Sequence, residues 1–324
     1  MSDLPGLQAL LHHAYGLATA TLTPLHLFPQ PGRGVYRVDA PGQGSFVLRA
    51  YQQPLTAVAW LADSAAVLRF LEAADFPAPR VRRTNDGGLL GHHQGWSALL
   101  LTYIAGEMTS GALADFAQLG SLVARLHTLA LAPAVPRSPL PFCRWQPQQK
   151  ITDWLTQLQA VAPTVPTELH GLYTFSVEIL SQLLQWPAMP TALLHADPNS
   201  FNTVRTVSNG VVLIDWDTAG IGPAILDLGY LLLTAHAVLP AWPQIEANAA
   251  LITAIMQGYG AVRPLTQQEQ QALPIAVCLN DAVWAAQAMP QVVGRAWREN
   301  RTLTRFGARY PSLKRIGQIA QSRL

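Results

Sequence analysis

Four polar residues close together in the chain could do chemistry as a set: Asp197, Asn202, Asp215 and Asp217. A carboxylate, then a carboxamide five residues later, then further carboxylates beyond two β-rich runs, makes a group of hard oxygen donors. Such donors suit Mg²⁺, which keeps several waters and shares itself with phosphates. The element that must gather them is a hairpin. Thr203 to Val207 and Val211 to Ile214 are rich in β-branched residues, and Ser208-Asn209-Gly210 separates them. Asn and Gly both tolerate positive φ, so Asn-Gly between such runs predicts a tight turn. With Asn209 and Gly210 as turn residues, Val207 lies opposite Val212 and Val204 opposite Asp215. Asn202 then sits at the same end of the hairpin as Asp215 and Asp217. Just upstream, Leu193 and Leu194 end an apolar run that delivers His195-Ala196-Asp197 to a loop.

Asp-x-x-x-x-Asn, a hairpin, then Asp is also the order of the catalytic and metal-binding loops of protein kinases. Here His195-Ala196-Asp197-Pro198-Asn199-Ser200-Phe201-Asn202 is followed by Ile214-Asp215-Trp216-Asp217, Gly222-Pro223 and Asp227-Leu228. On these residues the sequence resembles the aminoglycoside phosphotransferase/choline kinase family of kinase-like enzymes, with Ala196 where that family has Gly. The resemblance implies an α+β, two-lobed protein-kinase-like fold: residues 1–103 a nucleotide-binding lobe of antiparallel sheet with one helix, residues 104–324 a mainly helical catalytic and acceptor-binding lobe, and ATP between them. It implies that Asp197 takes the proton of an acceptor hydroxyl. It gives Asn202 and Asp215 to Mg²⁺, and offers Asp217 to a second ion. His195 would brace the catalytic loop, and Asp227 would hold loop backbone or cap the next helix.

The elements before the hairpin follow from pattern. Leu4 to Leu17 has helical spacing, Leu22 to Phe28 reads as a strand, and Pro29 to Gly34 as a loop. Val35 to Val38 and Phe46 to Tyr51 are two further strands. Gly32 and Gly34 lie where the family covers nucleotide phosphates with backbone N–H groups. Val47, Arg49 and Tyr51 share one face of a pleated strand. The family's strand lysine has no counterpart, because Lys150 and Lys314 are the only lysines in the chain. Arg49 is therefore the expected phosphate cation. Ala57 to Ala74 is a helix, which in kinases presents a Glu to that lysine; here the matching position is Ser64, with Asp63 beside it. Arg80 to Arg83 and Leu89 to Gly91 read as a hairpin about Asp86-Gly87-Gly88. Ser97 to Ile104 is a buried strand whose backbone at Thr102 to Ile104 would contact adenine.

Helices follow at Leu113 to Ala130, Lys150 to Ala160, Leu172 to Leu184, Leu228 to Val238, Ile245 to Tyr259, Gln267 to Gln287 and Val292 to Arg298, with a Pro-rich connector at Pro133 to Pro147. His127 reads as a packed or capping histidine rather than a ligand.

Composition narrows the class. Hydrophobic residues make up 50% of the 324 and charged residues 12%, about half the usual charged share, so the chain buries a large core. A net charge of +2 is too mild to indicate nucleic acid. Two cysteines, Cys143 and Cys278, indicate no disulfide framework and a reduced cytoplasmic compartment. No signal peptide is read at the N-terminus, and the apolar core Tyr230 to Leu239 is too short to span a membrane.

From Gln291 onward, Arg295, Arg298, Arg301, Arg305, Arg309, Lys314, Arg315 and Arg323 face a single acid, Glu299. That balance favours a neutral or anionic small-molecule acceptor over a polycationic aminoglycoside; Asp281 and Glu246 are the acids that could still line an acidic pocket. Two other readings compete with a small-molecule kinase. One is a nucleotide-binding pseudokinase, supported by Arg49 and Ser64. The other is a protein Ser/Thr kinase of the same fold, for which the sequence has no peptide-docking signature.

Overall fold

The computed structural model describes residues 4–25, 32–52, 55–109, 111–131, 148–207, 210–236, 245–292 and 300–324. The chain separates into two compact units. The first holds Met1–Glu107, Leu131–Leu140 and Val204–Ala219, and the second holds Met108–Ala130, Pro141–Thr203 and Gly220–Leu324. Val204–Ala219 thus belong with the N-terminal segment, whereas the sequence reading assigns them to the lobe that begins at residue 104.

The first unit is built on a five-stranded antiparallel sheet of order β1-β2-β3-β5-β4. Its strands are β1 (Thr21–Pro24), β2 (Arg33–Ala40), β3 (Gly44–Gln52), β4 (Leu90–His93) and β5 (Trp96–Thr102). The alternation in β2 decides its faces: Gly34, Tyr36, Val38 and Ala40 are buried. With Leu48, Ala50, Ala98 and Leu100, the side chains of Tyr36, Val38 and Ala40 form a core against α1 (Leu4–Tyr15), which contributes Leu7, Leu10, Leu11 and Tyr15. The opposite face carries Arg33, Val35, Val47, Arg49 and Tyr51, with Val35 registered on Arg49 and Arg33 on Tyr51. Helix α2 (Leu55–Ala73) follows β3.

The turns differ from the sequence reading in three places. Strand β2 begins at Arg33, so Gly34 lies inside a strand rather than in the preceding loop. A Cβ there would collide with the ring of Tyr36, which accounts for the glycine without any ligand. Strand β4 pairs with β5 through the Gln94-Gly95 turn, both residues at positive φ. Residues 80–82 run along the β5 side instead: Arg82 N–H donates to the Leu100 carbonyl at 2.8 Å, and Thr102 N–H to the Arg80 carbonyl at 2.9 Å. The two-residue β6 (Glu107–Met108) follows β5, and in the hairpin of β8 (Thr203–Thr206) and β9 (Gly210–Leu213) Gly210 opens the second strand at a φ of 65°; Asn209 lies outside the described residues. The C-terminal part of the first expected strand, His26 to Phe28, also lies outside them.

The second unit is mainly helical: α3 (Leu113–His127), α4 (Gln148–Val161), α5 (His170–Leu184), α6 (Ile225–Ala235), α7 (Ala249–Gly260), α8 (Gln267–Ala288) and α9 (Arg301–Gln321). A short antiparallel pair, β7 (Thr191–Leu194) with β10 (Gly220–Pro223), fixes the entry to the His195 loop by registering Leu194 on Gly220. Helix α8 starts in a capping box of Thr266 and Glu269, a local signal worth about 1 kcal/mol. By length and composition α8 and its extension to Gln291 could cross a membrane, yet 61% of that apolar window is buried in the fold. It is the helix against which α5, α6 and α9 pack.

Helix α9 is absent from the sequence reading. Its polar composition and the internal Pro311 hide a buried stripe of Leu303, Phe306, Leu313, Ile316 and Ala320. Asp281, expected as a possible pocket acid, is fully buried and paired with Arg309, whose Nε and Nη2 reach one carboxylate oxygen each. Lys314 pairs with Glu178 at 2.6 Å, and burial pushes the Arg305 guanidinium down to about 10. Two of the basic residues counted at the C-terminus, Arg309 and Lys314, are therefore paired with acids of other helices.

Candidate active site

In the second unit the catalytic-loop motif is held from beneath by a buried carboxylate. Asp227, in the first turn of α6, accepts the backbone N–H of His195 at 2.7 Å and of Ala196 at 2.9 Å. Ala196 has a φ of 62°, the left-handed conformation that costs a residue with a Cβ about 1–2 kcal/mol. The two N–H bonds to Asp227 hold that turn. Asp227 is itself supported by His127 Nε2 at 3.3 Å, and His127 Nδ1 meets the Tyr259 hydroxyl at 2.8 Å. Arg263 donates to Tyr259 at 2.9 Å and to buried Glu269 at 2.7 Å. His127 is thus a packed residue, as its helical position suggests, and it ties the loop's anchor to α3 and α7. The sequence reading gave it no such partner, since Asp227 is 100 residues away.

Asp197 emerges from this turn half-buried. Its Oδ1 accepts from the Asn199 amide at 3.0 Å and its Oδ2 from the Asn202 amide at 2.8 Å. Asn199 also caps the following turn through the N–H groups of Phe201 and Asn202. Because Asn202 spends its NH₂ on Asp197, its carbonyl oxygen is left with no partner among the described residues. That oxygen is the donor type a hard cation requires.

In the first unit, Arg49 and the two hairpin-end carboxylates come together. Asp215 takes a left-handed backbone, φ 63° and ψ 65°, which an Asp tolerates better than most residues. The turn is set by Trp216, whose indole N–H donates to the Leu213 carbonyl at 3.0 Å and whose ring meets Phe76 edge-on. Arg49 is 6% exposed, not a surface residue of an edge strand. One of its Nη atoms reaches Asp215 Oδ1 at 2.9 Å and the other pairs with Asp217 Oδ2. Asp217 Oδ1 accepts from Ser64 Oγ of α2 at 3.2 Å, and Arg33 Nη2 stands 3.9 Å from Oδ2. Arg49 takes both its carboxylates from the hairpin and none from Asp63; burial raises the Asp63 carboxyl above the usual range.

Other expected contacts fare unevenly. Gly32 has a φ of 69° and its carbonyl accepts Gln52 N–H at 2.7 Å. Thr102 N–H is committed to Arg80 and Tyr103 N–H to Ser45, which leaves Ile104 as the first residue past β5 without a backbone hydrogen bond among the described residues. No group of three His, Cys, Asp or Glu able to hold a metal occurs among the described residues. A cation held by Asn202 or Asp215 would therefore complete its shell with phosphate and water, as Mg²⁺ does.

Comparison with known proteins gives this geometry a context. A homoserine kinase from Azorhizobium caulinodans is 27% identical over 240 residues, covering 71% of this chain and 68% of that protein. Among solved structures, the microcompartment-associated aminopropanol kinase superposes with a TM-score of 0.69 at 20% identity, over 96% of this chain and 98% of that one. Amicoumacin kinase, solved with AMP-PNP and Ca²⁺, also gives 0.69, at 14% identity over 95% and 93%. At such identities the superpositions carry the fold, which is kinase-like and α+β. A sequence profile of the phosphotransferase enzyme family matches residues 26–265. That match spans well over half of the chain and includes the carboxylate–carboxamide loop and the hairpin carboxylates, so the chain belongs to the phosphotransferase enzyme family.

Proposed function

We propose that this protein transfers the γ-phosphoryl group of ATP, with Mg²⁺, to the hydroxyl of a small hydroxy amino acid or amino alcohol. The observation that carries the reading is Asp197. Two side-chain amides orient its carboxylate, and its loop is pinned by a buried anchor. Asp197 accepts the acceptor's hydroxyl proton as the phosphoryl group leaves ATP. Asn202, through its carbonyl oxygen, and Asp215, half-exposed at 48%, are the residues to hold the metal. Arg49 neutralises phosphate, the Gly32 backbone covers it, and the Ile104 backbone contacts adenine. The metal supplies charge neutralisation of the phosphates; the protein supplies position and a proton acceptor, as phosphoryl transfer demands.

Residues 1–103 serve as the nucleotide lobe of a cytoplasmic enzyme, joined by the hairpin of residues 204–219, and the rest of 104–324 as the acceptor lobe. A small acceptor with no more than one net positive charge fits better than a polycation. Asp281 is spent on Arg309, and the named substrates of the relatives, homoserine and aminopropanol, are small. A nucleotide-binding pseudokinase is the second reading, favoured by Arg49 lying across both Asp215 and Asp217.

The test is steady-state kinetics with ATP and Mg²⁺ against homoserine, amino alcohols, neutral sugars and kanamycin-like amines. Turnover of a small hydroxy amine with kcat/KM of about 10⁴ M⁻¹s⁻¹ or more supports the proposal. Efficient phosphorylation of the polyamine alone overturns the acceptor class, and nucleotide binding without transfer to any acceptor favours the pseudokinase.

A further inference from the structure

We infer that Asp217 is not a metal ligand but the acid that positions Arg49, with Ser64 of α2 holding Asp217 in turn. This rests on the phosphotransferase reading and refines its nucleotide site. A cation as buried as Arg49 needs a carboxylate partner, and α2 supplies none: Ser64 stands at the position facing the strand, and the carboxylates on Arg49 come from elsewhere. The acid arrives from the end of the hairpin. Asp217 Oδ2 pairs with Arg49 and lies 3.9 Å from Arg33, while its Oδ1 accepts from Ser64 at 3.2 Å.

Both oxygens of Asp217 are thereby committed, and its side chain is only 18% exposed against 48% for Asp215. The two carboxylates are two residues apart in sequence and differ in what they do. Asp215 faces outward, where a hydrated cation can reach it. Asp217 faces the sheet and α2. The guanidinium is required by this division, since its fork reaches Asp215 with one Nη and Asp217 with the other; a lysine ammonium has a single point of charge. Arg33 belongs to the same arrangement. It projects from the same sheet face, registered on Tyr51 where Val35 is registered on Arg49, and its Nε and that of Arg49 are buried without a partner among the described residues. Two arginines with donors to spare, oriented by one carboxylate, make a receptor for a polyphosphate.

The experiment separates metal binding from phosphate positioning. Mn²⁺ affinity is measured by electron paramagnetic resonance in the presence of ADP, alongside ATP kinetics, for wild type, Asp215→Asn, Asp217→Asn, Ser64→Ala and the Ser64→Ala/Asp217→Asn pair. Asp215→Asn is expected to weaken Mn²⁺ by about tenfold or more. Asp217→Asn should leave the Mn²⁺ constant within about threefold of wild type while lowering kcat/KM for ATP by about 10- to 100-fold, the scale of a misplaced charged group.

Ser64→Ala should lower the same parameter by a smaller factor, and add little in the Asp217→Asn background, because it acts through Asp217. The inference is overturned if Asp217→Asn weakens Mn²⁺ as much as Asp215→Asn does, or if the two substitutions are additive. Should Asp217→Asn fail to fold, Ser64→Ala decides alone: unchanged ATP kinetics, or a shifted Mn²⁺ constant, rejects the idea. A wild-type protein that binds neither ADP nor Mn²⁺ takes down the phosphotransferase reading with it, an outcome distinct from the others.

Discussion

On the proposed mechanism the Asp197 carboxylate, oriented through both oxygens by the Asn199 and Asn202 amides, is the group that takes the acceptor's proton. Asp197→Ala is expected to reduce kcat by about a hundredfold or more with ATP affinity nearly unchanged, since general-base contributions run to about 10²–10⁴. Isothermal titration with ATP beside steady-state rates checks both halves. The neighbouring Ala196 carries a different expectation. Its left-handed backbone costs about 1–2 kcal/mol, against about 0.5–1 kcal/mol of extra entropy lost by glycine on folding. Ala196→Gly should therefore stabilise the protein by about 0.5–1 kcal/mol, read as a raised denaturation midpoint, with turnover unchanged. At Arg49 the substitution that looks conservative is not. Arg49→Lys keeps the charge but loses one of the two carboxylate contacts, so a rise of about tenfold or more in KM for ATP is expected, the scale of one charge-assisted hydrogen bond.

Elements matter here for the way they hold those residues. The His195 turn is anchored by Asp227 on α6, which reaches α3 through His127 and α7 through Tyr259. Asp227→Ala strips two buried backbone N–H groups of their acceptor and leaves His127 unsupported. A loss of about 2–4 kcal/mol is expected, from about 1–3 kcal/mol per unsatisfied group with partial relaxation, measured by urea unfolding. Helices α8 and α9 are joined by the buried Asp281–Arg309 pair. Arg309→Met leaves a buried carboxylate alone and should cost about 3–5 kcal/mol, while replacing both partners by apolar residues of similar volume should cost far less. A double substitution as damaging as the single one would contradict that account.

For the whole molecule the useful observable is linkage to ligand. A nucleotide that binds only the folded chain stabilises it by about 2.7 kcal/mol at about a hundred times its dissociation constant. ADP with Mg²⁺ at that ratio is expected to raise the melting temperature by several degrees, and EDTA to remove most of the rise. An equal shift with and without metal would argue against Asn202 and Asp215 as metal residues. Cys278 gives a second check: it is buried, and burial pushes its thiol up to about 12, so it should resist alkylation until the protein unfolds.

Much of this was legible before any coordinates. The order of Asp197, Asn202, Asp215 and Asp217 across a β-rich pair pointed to the phosphotransferase family, which the sequence profile matches over residues 26–265. Helices with unbroken apolar stripes, such as α3 and α8, were readable because their period is a local property of the chain. What had to wait for the fold were partners chosen at long range. Nothing near Asp227 in sequence announces His127, nothing near Asp217 announces Ser64, and Asp281 looked available until Arg309 was found on it. Helix α9 escaped because its buried stripe is diluted by charge and a proline, and only packing against α8 reveals which side is apolar. The strand arginine shows the division most clearly. Its type and position could be read directly, but whether it met solvent, an acid of α2, or the two hairpin carboxylates was settled by burial. A desolvated guanidinium must find carboxylates, and only the folded chain determines which are within reach.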